Sequence, residues 1–277
     1  MWTIAAITFK EAYRRRILPV TVLAAVLYLS LLGFAVRMLS RQFELTMDPF
    51  KEVVFSQIFT MGLYFGSFIV SFLAVFAAVG TVSSEIENGT MLAVVPRPIR
   101  RWEIVLGKFV GFGTLLVAYA AGLFLALTVV IERIGGVDLP SQGAALVLFC
   151  FQPVILLAVT LCGTTFLSTM ANGVVALALY AVTVVGGMIE QIGYLVQSTS
   201  LQITGIITSL IMPVDAIYRK TVYVLMTSQS ENPLRAVMEM GPFGAQAEPS
   251  VWMLVYAGLY TAGALGLAMY LFSRRDI

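Results

Sequence analysis

The sequence predicts an all-α, polytopic membrane protein with six transmembrane helices, and three observations carry that reading. Of 277 residues, 59% are hydrophobic and 12% charged, against about 45–50% and 25% in soluble domains. Fifteen acids and seventeen bases can hardly supply the polar exterior that a soluble fold of this length needs. The apolar residues gather in six runs of about 20, the length of helix that crosses a hydrocarbon core roughly 30 Å thick. These runs are too continuous for the alternating segments of about ten residues that build a barrel.

The spans fall at 17–36, 58–82, 109–131, 144–167, 173–192 and 251–272 within one transmembrane domain, 1–277. Residues 1–16 precede the first span. Trp2, Ala6, Phe9 and Tyr13 recur there at helical spacing, with Lys10, Glu11, Arg14 and Arg15 on the other face, the pattern of an amphipathic helix on a membrane surface with Arg14 to Arg16 at anionic headgroups. It serves as a topology anchor or as a docking surface, and the residues leave both open. The first span carries a small-x-small triplet, Gly33-Phe34-Ala35, but its apolar run exceeds the 7–15 residues of a signal h-region, so it reads as a retained span.

Gly62 and Gly66 in the second span, and Gly258, Ala262 and Gly266 in the sixth, are small residues four apart that permit close helix approach. Packing within the chain is the expectation for both stripes. Pro153, beside Gln152 in the fourth span, predicts a kink or a local break. Glu190 is the only charged residue inside a run, and its place near one end predicts a solvated interfacial acid rather than a buried relay.

Residues 193–250 are the ambiguous stretch. Their first third is uncharged yet rich in Ser, Thr and Gln, and reads as one or two short helices dipping into or lying on the outer leaflet. Pro213 ends the apolar stretch.

Orientation follows from Lys and Arg in the connections. With the N-terminus inside, the inner segments hold Lys10, Arg14, Arg15, Arg16, Arg97, Arg100, Arg101, Lys108, Arg274 and Arg275. The longer outer segments hold Arg37, Arg41, Lys51, Arg133, Arg219, Lys220 and Arg235. Both termini are therefore expected in the cytoplasm.

Composition also excludes. A net charge of +2 is too small for a nucleic-acid footprint. The sequence has no histidine, which removes imidazole metal ligands, Ser-His-Asp triads and histidine proton relays. Cys150 and Cys162 share one run and on one helix stand roughly 18 Å apart, beyond disulfide reach.

The richest stretch is 83–108, between the second and third spans. Gly89 breaks the helix leaving the second span, and Thr90 is an N-cap candidate for a short helix through Val95 that includes Met91 and Leu92. Pro96 and Pro98 bracket Arg97 and hold it extended. A new helix starts near Pro98 with Arg100 and Arg101 on its surface. Gly107-Lys108 lacks the other P-loop positions, since Trp102 and Phe109 stand where Gly and Ser or Thr belong. The interspersed Glu85, Glu87 and Glu103 make a protein-docking loop a better reading than a plain basic connector.

This stretch resembles the ABC-2 type membrane subunits of ATP-binding-cassette transporters, which show SxExExGT followed by RPxxRxxxxxGKxxG after the second of six spans. Ser83, Glu85, Glu87, Gly89, Thr90, Arg97, Pro98, Arg101, Gly107, Lys108 and Gly111 stand at the matching places. MPVDAIYR at 212–219 and the terminal FSRRDI are also similar. Within the superfamily, size and MPVDAIYR look closest to the copper-processing NosY-type permeases, although 193–250 shows no Met-rich, Cys-rich or His cluster.

The resemblance implies a permease subunit, not itself catalytic, that works as a dimer with a second permease copy in the plasma membrane of a bacterium or archaeon. It implies no cofactor in this chain, with ATP and Mg bound by two copies of a separate ATPase subunit. Thr90 to Val95 would be the coupling helix seated in that ATPase. Glu85, Glu87, Arg97, Arg100 and Arg101 would supply charge to the contact, and Gly89, Met91, Leu92, Pro96 and Pro98 would shape it. The outer segment would form a cap, with Asp215 and Arg219 a local pair one helical turn apart. Export is the expected activity. The alternatives are force transmission to an extracytoplasmic protein partner and, from another class, an ATP-independent carrier or membrane enzyme, for which no catalytic constellation is visible.

Overall fold

The computed structural model describes residues 5–9, 17–46, 51–81, 101–136, 142–227, 244 and 249–274. The described residues contain helices and turns, with no strand among them. The helices are α1 Ile17–Thr46, α2 Lys51–Ala78, α3 Arg101–Val130, α4 Gln142–Thr164, α5 Thr169–Leu195, α6 Thr199–Ile211, α7 Val214–Thr227 and α8 Val251–Arg274. A π-helical turn, Ile131–Gly135, extends α3 and stops at Gly136, whose φ of 68° suits a glycine. Six helices, α1 to α5 and α8, are long and apolar enough to cross a membrane.

Burial sorts the spans into centre and periphery. The most apolar windows of α2 and α4 are 67% buried within the chain, those of α1 and α8 only 17%. Aromatic rings fill the centre: Phe59 of α2 meets Phe124 of α3 edge-on at 6.3 Å, and Phe124 meets Phe149 of α4 at 5.6 Å. Lipid gives helices no hydrophobic reason to associate, so small residues and cross-helix hydrogen bonds matter here. Gly62 faces Leu32 and Tyr28 of α1, and Gly66 faces Leu123 and Leu127 of α3, as expected for internal packing. The Tyr28 hydroxyl donates to Gly62 O at 2.8 Å and the Tyr119 hydroxyl to Thr21 O at 2.8 Å, tying α1 to α2 and α3. Bonds of this kind contribute on average about 0.6 kcal/mol each in a bilayer.

The stripe on α8 corrects its expectation. Gly258 and Ala262 are exposed, and a Cβ added at Gly258 or Gly266 would meet nothing within 4 Å. It is Ala257, Thr261, Ala268 and Phe272 that face the bundle. Gly spacing marks where a close approach is permitted but not which side of the helix receives it. Helix α4 runs unbroken through Pro153, with Gln152 buried beside it.

Of the N-terminal helix only residues 5–9 are described, and they are helical. Ala5 and Thr8 are buried while Ile7 and Phe9 are exposed. The turn lies against α3 at Gly111, where a Cβ would stand 2.8 Å from Ala5 O. Trp2, Lys10, Glu11, Tyr13 and Arg14 to Arg16 lie outside the described residues.

The ambiguous stretch folds back into the bundle. Helix α6 packs along α5, where Gly186, Gly193 and Gly205 let the backbones close: a Cβ on Gly205 would lie 2.8 Å from Gly186 O and one on Gly193 2.7 Å from Gln202 N. The other face of α6 exposes Ile203, Ile206, Ile207 and Leu210. It ends before extended Met212, and α7 leaves at 111°. Residues 212–222 are buried without interruption. Helix α7 is therefore an inner element enclosed by α2, α4, α5 and α8, in keeping with the dipping alternative of the sequence reading rather than the one lying on the outer leaflet.

Candidate functional site

Two polar places stand out against the apolar bundle, one at each end. The first is the neck of the α2–α3 connection. The connection itself, with Glu85, Glu87, Gly89, Thr90, Met91, Leu92, Pro96, Arg97, Pro98 and Arg100, lies outside the described residues. Arg101 opens α3, and its side chain is also outside them.

Helix α2 ends in a tight turn, with Val79 N–H donating to Val75 O at 2.8 Å and Thr81 N–H to Ala78 O at 3.1 Å. The last carbonyls of any helix lack intrahelical partners and carry its negative pole, so a buried end requires donors. Two side chains supply them. Lys108 of α3, only 4% exposed, donates its Nζ to Thr81 O. Asn172 of α5, 2% exposed, donates Nδ2 to Val79 O at 3.4 Å and to Thr160 O of α4 at 3.0 Å. Gly163 of α4 leaves the space for this carboxamide, since a Cβ there would overlap Asn172 Oδ1. The Lys108–Thr81 bond joins residues 27 positions apart and closes the connection at its base.

The second place lies toward the opposite end of α5. Arg219 of α7 reaches Glu190 Oε1 of α5 with Nη1 at 2.7 Å. Its Nε stands 3.0 Å from Asp215 Oδ2 one turn earlier, within ion-pair distance but without the alignment of a hydrogen bond. Nη2 donates to Ser209 Oγ of α6 at 3.0 Å. One guanidinium thus holds α5, α6 and α7 together. Gly186 and Gly187 make room, because a Cβ at either would overlap Thr208 or the Asp215 carboxylate. Beside the cluster, Tyr218 donates to Thr60 O at 3.0 Å and stacks edge-on with Tyr64, their centroids 5.4 Å apart. No group of side chains that could hold a metal ion occurs among the described residues.

Glu190 corrects the expectation of a solvated acid, since it is 7% exposed and ion-paired. Its partner lies 29 positions on in a segment that re-enters the bundle, so neither hydropathy nor local spacing could show it. Asn172 and the contact of Lys108 were also missed. The available signals were an amide and a lysine, each standing directly before the start of an apolar run.

The family model described as "ABC-2 family transporter protein" matches residues 2–277, almost the entire chain. The chain belongs to the ABC-2 transporter family. It is a multi-pass membrane protein, and an ABC-2 permease is the membrane component of a transporter that works with an ATP-binding-cassette ATPase. No curated protein sequence matches it. Gly107, Lys108 and Gly111, read in the sequence as part of the family's segment, stand in this ABC-2 permease at the neck: Gly111 admits the N-terminal helical turn to α3 and Lys108 caps α2.

Proposed function

We propose that this chain is the permease subunit of an ATP-driven exporter, pairing with a second permease copy and with two ATPase subunits that bind ATP and Mg. The family match over residues 2–277 carries the reading. In it the connection at 83–108 faces the cytoplasm, and Thr90 to Val95 sits in a groove of the ATPase. Glu85, Glu87, Arg97, Arg100 and Arg101 meet complementary charge there, and both termini lie on the same side.

The scarcity of ionisable groups in the spans supports an external energy source. Lys108 and the Glu190–Arg219–Asp215 cluster are all buried and paired within the bundle. Among spans, α1 and α8 are the least covered by their own chain, which leaves both free to meet a second copy. The Asp215–Arg219 pair, with Glu190, ties α7 of the segment that we read as the outer cap to the span α5.

Crosslinking tests the placement. Met91→Cys in an otherwise cysteine-free chain should crosslink to the co-expressed ATPase subunit, and Trp252→Cys, at the opposite end, should not. Crosslinking from Trp252→Cys alone would reverse the topology, and none from either position would remove the coupling role of the loop.

A further inference from the structure

We infer that Asn172 and Lys108 are positioning residues for coupling, which carry a displacement of the α2–α3 connection into α4 and α5 as well as into α3. This rests on the reading of that connection as the ATPase contact. On sequence grounds a push on the loop reaches only the two helices it joins, α2 and α3. The structure adds two routes out of the last turn of α2, each a hydrogen bond from a side chain on another helix.

The bonds are placed where helices cannot easily slide past one another. Thr81, Lys108, Thr160 and Asn172 are all at most 4% exposed, so no water stands ready to replace a broken bond. A buried donor or acceptor left unpaired loses the compensation for its desolvation. Asn172 is a two-way tie: the same amide nitrogen holds Val79 O at the end of α2 and Thr160 O near the end of α4. Its carboxamide occupies the space that a side chain at Gly163 would fill. Helix α4 is the hub of the bundle, packed against α2, α3, α5, α7 and α8. A movement delivered to it by Asn172 therefore reaches helices that the connection does not join. Lys108 does the equivalent for α3, as a cation on the negative pole of α2.

The two ties make separable predictions, and separability distinguishes coupling from plain structural support. The test uses the complete permease–ATPase complex in lipid nanodiscs, with Cys150 and Cys162 replaced by Ala. Spin labels go on exposed positions: Val20 of α1 paired with Met170 of α5, and in a second preparation Val20 with Val117 of α3. Pulsed electron resonance gives each distance without nucleotide and after vanadate trapping. In the parent both distances should change on trapping.

Asn172→Leu should suppress the α5 change and leave the α3 change, while Lys108→Met should leave the α5 change and reduce the α3 change to what the loop alone delivers, and Lys108→Arg should restore it. If Asn172→Leu fails to assemble, the smaller Asn172→Ala carries the same prediction. Distance changes at α5 that match the parent in an assembled Asn172 variant overturn the inference while leaving the ATPase-coupled reading intact. Absence of any complex with an ATPase overturns that reading itself.

Discussion

Replacing Arg219 with Met is expected to destabilise the bundle by about 3–5 kcal/mol, the cost typical of removing one partner from a buried ion pair. Arg219 is 4% exposed and stands between Glu190 at 2.7 Å and Asp215 at 3.0 Å. Without it two carboxylates remain in an apolar setting with no described cation between them, and Ser209 loses its donor. The loss should appear as a lower midpoint in thermal or denaturant unfolding of the micelle-bound protein. Replacing the whole cluster in the same chain, Glu190→Leu with Asp215→Leu and Arg219→Met, should recover much of the stability, because a buried ionic cluster exchanged for well-packed apolar groups of similar volume is often close to neutral overall. Arg219→Met with an unchanged midpoint would show that α5, α6 and α7 are held together by packing alone.

The second large effect concerns the loop. Reversing Arg97 and Arg101 together to Glu, or Glu85 to Lys, should weaken assembly with the ATPase by roughly 2–3 kcal/mol, about a hundredfold in affinity, since like charges brought together at an interface cost several kcal/mol. The unfolding midpoint of the permease alone should not move, because the change falls outside the six apolar runs. The readouts are the fraction of ATPase retained on the immobilised permease and its ATP hydrolysis rate at saturating ATP. A variant that binds and stimulates as the parent does would take these side chains out of the contact.

The six spans were legible in the sequence because each contains an uncharged run long enough to cross a bilayer. The helices themselves run past those limits: α1 continues to Thr46, well beyond the apolar run that ends at Val36. Hydropathy marks the lipid-compatible core of a helix, whereas its ends are set by backbone hydrogen bonding in polar sequence.

Val214–Thr227 shows the converse. It carries Asp215, Arg219 and Lys220, yet its residues 214–222 are buried, because Glu190 and Ser209 on two other helices take up the charge of Arg219. That compensation is tertiary and has no local signature. The α8 stripe was legible as a close-approach surface, but its direction depends on which neighbours the chain provides. Asn172 was invisible for the same reason, since an amide at the head of a span acquires meaning only from the ends of α2 and α4 brought beside it.

The central claim is that the driving chemistry belongs to another subunit, and purification of the tagged chain from its native membranes in mild detergent tests it most directly. The account predicts a complex in which an ATP-binding-cassette ATPase accompanies the permease in equal number and hydrolyses ATP. A chain that purifies without an ATPase, under conditions where its own fold is retained, would contradict it.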